Sequence, residues 1–169
     1  MAFAAILWVG CAGVIITAAL RCRHHPEAAR LGRLAVGGLY LVAGAVVNAL
    51  FLARGEDYAR FADGSYLPFV RHTWRSLVVP HHEVWIGLLI VFEAIVGGLA
   101  LSGGKRTRVA YAAAILFHVG LLPFGWGFYL WSLPMIAALV TLWRAERRTP
   151  ALLPAVRTCT RASRYRVTS

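Results

Sequence analysis

Residues 84–108 read VWIGLLIVFEAIVGGLALSGGKRTR, and this stretch decides the fold. It opens beside His81, His82 and Glu83 and stops at Gly103-Gly104, just before Lys105, Arg106 and Arg108. The apolar run between those ends is about 20 residues long; at ~1.5 Å per residue it spans roughly 30 Å, the hydrocarbon thickness of a bilayer. One carboxylate interrupts it, Glu93. A charge near the middle of a span costs about 2.5 kcal/mol or more, so this side chain should face protein or water rather than lipid.

The whole chain has the same character. Of its 169 residues 59% are hydrophobic and only 15% are charged, against about a quarter in soluble domains. The reading is an all-α, polytopic transmembrane helical bundle, with little room for a soluble domain. Lys105 is the only lysine, and arginine and alanine abound, which points to a GC-rich bacterial genome and so to a bacterial cytoplasmic membrane. The net charge of +11 would suggest nucleic acid in a soluble protein. Here the cations flank apolar runs, so they read as a topology signal and no nucleic-acid partner is expected. Cys11, Cys22 and Cys159 share no motif spacing, which speaks against a disulfide framework or a C-x-x-C redox site.

Five spans are expected, at about 3–20, 34–53, 84–102, 107–122 and 128–143, within one domain over 1–147. The first has no basic residues before it and Arg21 and Arg23 directly after it. That order is the reverse of a secretory signal, so it reads as a retained helix. Cys11 and Thr17 inside it are expected to pack between helices. Pro26-Glu27 signals a helix start. Residues 54–83 form the one long polar connection, with aromatic residues recurring among charges as in a segment lying at the interface. Pro68 and Pro80 should break it into short pieces, and Pro134 should kink the last span. Residues 148–169 read as a basic, disordered tail.

Fourteen cations fall in the clusters at 21–33, 105–108 and 144–166, against four arginines in 54–83. The positive-inside rule then places the N-terminus and the 54–83 loop outside and the C-terminus inside. Glu93 comes out ~15 Å below the outer surface, and Asn48 and His118 ~7 Å below it. His81 and His82 lie at the surface itself.

The candidate ligand or proton-transfer residues are therefore Glu93, His118, Asn48, His81 and His82, gathered in the outer half of the bundle. Three readings compete for them. They could fix helix register through hydrogen bonds. They could hold a small ligand or a quinone headgroup, with Glu93 and His118 exchanging protons. They could bind a metal, but adjacent histidines on a helix point ~100° apart, so no metal site is assigned. No nucleophile triad, phosphate loop or H-x-x-x-H pair is present, and the residues alone name no reaction.

The order of parts from 32 to 143 resembles the DoxX-like family of small bacterial membrane proteins. The stretch LAVGGLYLVAGAVVNAL carries a similar arrangement at Gly37, Tyr40, Leu41 and Gly44, and FEAIVGGLALSGG places Glu93 ahead of Gly97-Gly98. The resemblance implies a four-helix core, to which residues 3–20 add a helix. Asn48 stands where many members carry a lysine, so any ion pair of that position with the glutamate is absent here. The resemblance also implies membrane redox work, as a thiosulfate:quinone oxidoreductase subunit or as a partner of oxidative-stress enzymes. The expected role is an accessory or small-ligand-binding subunit in contact with the lipid bilayer, with a redox protein or a second copy as partner. The alternatives are a quinone-linked oxidoreductase subunit and a small-solute transporter.

Overall fold

Proline at position 26 begins the helix that carries much of the core. Its missing N–H falls where a helix has no internal acceptor for it, and Glu27 adds a carboxylate to the positive end of the helix dipole. The computed structural model describes residues 2–148; the expected tail beyond them lies outside the described residues. Within these residues the protein is all-helical, with no strand.

Helix α1 is Ala2–Arg21 and α2 is Pro26–Gly38. The latter continues without a break through a π-helical stretch, Leu39–Val46, into α3, Val47–Ala53. After a loop come α4 (Pro68–Thr73), a π turn (Trp74–Val78) and a 3-10 turn (Val79–His81). These lead directly into α5 (His82–Leu101), which is followed by α6 (Gly104–Leu121) and α7 (Trp126–Arg148).

The two prolines of the 54–83 connection play different parts. Pro68 does not break a segment but starts one, at the first turn of α4. Pro80 sits in the 3-10 turn directly after the π turn, and these two departures from α geometry absorb its missing donor. Residues 68–101 are thus helical almost throughout, but they bend at His81, where the backbone leaves helical geometry (φ −125°, ψ 32°), so that Trp74 lies against Phe124 just after α6. Helix α7 continues on both sides of Pro134.

Four helical rods are long and apolar enough to cross a membrane: Glu27–Ala53, Pro68–Leu101, Gly104–Phe124 and Trp126–Arg147. Helix α1 contributes a shorter apolar stretch, Ala5–Arg21. Large apolar side chains stay on the outside: Leu20, Leu116 and Leu130 are each more than 70% exposed. Apolar surface on that scale is what a bilayer covers, so the protein is a multi-pass membrane protein.

Helix α1 packs on α2 and α7, α5 on α2 and the π stretch, and α6 on both α5 and α7. Ala12, Ile15, Ala18 and Ala19 give α1 its buried face, with Val36, Tyr40, Val96, Ala100, Tyr111, Ala114, Leu139 and Leu142 opposite. Cys11 is half-buried against this core, whereas Thr17 is exposed. The turn between α5 and α6 relies on Gly103 and Gly104, both at positive φ (80° and 62°), a region that L side chains enter only at a cost.

Gly97 and Gly98 are adjacent, but their surroundings differ. A Cβ at Gly97 would stand 2.5 Å from Leu41 Cγ, 3.0 Å from the Leu41 backbone nitrogen and 3.1 Å from the Gly37 carbonyl, while one at Gly98 would meet nothing within 4 Å. Overpacking costs about 1–3 kcal/mol and exceeds the gain of up to about 1 kcal/mol in helix propensity. Gly97→Ala should therefore lower the unfolding midpoint in detergent and Gly98→Ala should not. Equal effects would refute this helix crossing.

Candidate functional site

The polar residues inside the apolar rods meet at one level of the bundle. Asn48 Nδ2 donates to Glu93 Oε2 at 2.9 Å, which joins α3 to α5. Glu93 is buried, only 6% exposed. Its carboxyl lies against Gly44, where an added Cβ would stand 2.7 Å from Oε1. The small residue in the π stretch is what lets the carboxyl approach that backbone. Tyr40, in the same π stretch, is also buried, and its hydroxyl has no hydrogen-bond partner. The indole N–H of Trp8 in α1 donates to the Ala43 carbonyl, an acceptor in the stretch where the regular α ladder is interrupted.

The Asn48–Glu93 hydrogen bond places the two residues level, not ~7 Å and ~15 Å deep as equal helix ends would give. The cause is the unequal reach of the two helices: α5 begins at His82, 11 residues before Glu93, whereas α3 ends at Ala53, five residues after Asn48, so Glu93 falls opposite Asn48.

His118 is 2% exposed, and neither ring nitrogen has a hydrogen-bond partner. Its ring lies 5.8 Å from Phe117 and 6.5 Å from Trp131 of α7. Phe117 faces the other way, 6.1 Å from Tyr40 and 5.5 Å from Phe92. Glu93 and His118 therefore belong to one layer of the bundle, in different helix interfaces, and are not hydrogen-bonded to each other. Ser132, next to Trp131 in α7, is fully buried and its hydroxyl is also unpartnered.

His81 and His82 lie apart from this layer. His82 is 11 positions before Glu93, about 16 Å along the helix. Its Nδ1 is 3.1 Å from the Val79 carbonyl and its ring 5.8 Å from that of Tyr58; His81 is exposed. Among the described residues no three His, Cys, Asp or Glu side chains come together as a metal ion would require.

The loop after α3 closes the near end of the bundle. Phe61 stacks on Trp74 at 4.8 Å and packs on Phe124 and Phe128 at 5.2 Å each. Trp74 Nε1 donates to the Tyr58 carbonyl at 2.8 Å, and buried Ser65 Oγ to that of Pro123 at 2.6 Å. Burial, and after it the charge of Glu56, raises the Tyr58 hydroxyl above the ordinary phenol range. Gly125 has φ 128°, and its close approach to the Gly64 carbonyl leaves no room for a side chain. The loop is thus a packed lid.

At the opposite end, Glu146 of α7 accepts from the Gly104 backbone N–H at 3.2 Å and pairs with Arg33 at 3.6 Å. Arg33 and Glu146 sit in basic clusters that sequence reasoning treated only as topology signals, so this three-helix tie went unread. Tyr40 was likewise read only as part of a family-like pattern, and Ser132 not at all.

The chain matches no protein-family model, no curated protein and no solved structure.

Proposed function

We propose that this chain is an accessory membrane subunit that holds a small polar ligand inside its bundle, at the level of Tyr40, Glu93, His118 and Ser132. One observation carries the reading: His118 is buried with both ring nitrogens unpartnered. Buried polar atoms without a protein partner call for water, an ion or a ligand, and here Tyr40 and Ser132 carry hydroxyls in the same condition. A neutral imidazole offers one donor and one acceptor, and the Ser132 hydroxyl on its side of Phe117 can do either. That set suits a compact molecule with carbonyl or hydroxyl groups, and a quinone headgroup is one such molecule. The DoxX-like resemblance supports the same placement, since Asn48 meets Glu93 where relatives carry a lysine.

The proposed setting is a bacterial cytoplasmic membrane with five spans, α1 included, the N-terminus and the lid outside, and the C-terminus inside. The arginine asymmetry supports it. Single cysteines at Asp57 and Arg147, in a chain whose three native cysteines are replaced, test the orientation. A membrane-impermeant maleimide added to intact cells should label the first and spare the second. The opposite pattern would overturn the topology.

A further inference from the structure

A groove of about 470 Å³ opens on the outside of the helical segment 68–78, lined by Pro68, Arg71, His72, Arg75 and Ser76. Its lining residues belong to none of the chemistry above. We infer that this groove binds the phosphate of an anionic phospholipid headgroup.

The lining is cationic and already ordered. Arg71 Nη1 donates to the Ser65 carbonyl at 3.1 Å, and Arg75 Nη2 pairs with Asp63 at 2.7 Å. Each guanidinium has five N–H donors in a planar fork, so most remain for a ligand. Anchoring both side chains to the lid reduces the ordering cost of binding. Asp63 pairs with Arg75, while Arg71 has no carboxylate within 4 Å among the described residues. Planar forks match phosphate oxygens in pairs. Ser76 adds no donor, because its hydroxyl is committed to the His72 carbonyl at 2.8 Å.

The surroundings favour a lipid over a soluble anion. Leu67, Phe69 and Leu77 are exposed beside the groove, Phe69 by 76%. Trp74 of the same segment packs on Phe61 and on Phe124 just after the apolar helix α6, so the groove stands at the height of the headgroups. Tyr66 packs on Trp126 and Tyr129 at the same end, an aromatic cluster of the kind found at membrane interfaces. The inference rests on the membrane reading and is independent of the interior ligand.

The test uses the full chain in nanodiscs of phosphatidylcholine with graded phosphatidylglycerol, scoring co-purified lipid and thermal unfolding. Stable incorporation into pure phosphatidylcholine discs checks the membrane reading separately. Wild type should enrich phosphatidylglycerol and unfold at a higher temperature in its presence. Arg71→Gln and Arg75→Gln should each lower the enrichment about fivefold, while Arg106→Gln at the other end should leave it unchanged. Should either variant unfold in phosphatidylcholine alone, Arg71→Lys keeps the charge without the fork and should still lose enrichment. Equal retention of both lipids, or an Arg71→Gln variant that enriches phosphatidylglycerol like wild type, would overturn the assignment. Displacement of the lipid by millimolar inorganic phosphate would also overturn it, marking a soluble-anion site.

Discussion

Replacing Asn48 with leucine is expected to cost the protein about 2–4 kcal/mol of stability. Two effects add. An interhelical hydrogen bond in a membrane is worth about 0.6 kcal/mol on average and reaches ~1.7. The larger effect is what stays behind, because a buried acceptor left without its partner loses a further 1–3 kcal/mol or so. Asn48 is the residue that donates to the Glu93 carboxyl, and the carboxyl is otherwise enclosed by Gly44 and the neighbouring helix. Glu93→Gln keeps an oxygen for Asn48 to donate to and should cost under about 1 kcal/mol. Changing both residues to leucine removes both polar partners and should recover much of the loss. Denaturant unfolding of the four proteins in one detergent compares these effects. A loss on Asn48→Leu no larger than on Glu93→Gln would mean that the pair contributes little to register.

The second large effect has the opposite sign. His118→Leu should stabilise the ligand-free protein by about 1–3 kcal/mol, since it removes buried nitrogens that no protein group satisfies. Leucine is slightly larger than the imidazole and differently shaped, and fitting it against Phe117 and Trp131 offsets part of the gain. A variant that is more stable when empty but unable to hold its ligand is the pattern of a residue kept for function. Thermal unfolding of delipidated protein reads the first half. A His118→Leu variant less stable than wild type would mean that the imidazole serves packing.

The helical rods were legible because a span needs a long apolar run, and such runs are conspicuous in the chain. The same property hid the details. In a run such as 39–46 nearly every position is apolar or glycine, so no periodicity betrays the π geometry that turns Tyr40 and Gly44 toward α5. Glu93 and Asn48 stood out as polar residues in apolar runs, and their pairing follows from having few other partners. Their relative depth differs from the expectation because α5 starts 11 residues before Glu93 while α3 ends five after Asn48, and nothing local shows that the two ends are not level. Residues 68–81 are helical because Pro68 lies at a first turn and a π turn precedes Pro80. His118 was found as an ionisable group in a span, but its separation from Glu93 by Phe117 depends on which helix face each presents, and that required the packing. The Arg33–Glu146–Gly104 tie links three helices and has no local signature.

The central claim is that the buried layer around His118 holds a small molecule. Native mass spectrometry of the protein, released gently from its own membrane beside a His118→Leu variant prepared identically, tests it most directly. The account expects a discrete added mass on wild type that the variant lacks, and the identity of that molecule would name the chemistry. Bare masses for both, from preparations that unfold cooperatively, would contradict the ligand site and reduce the layer to helix packing.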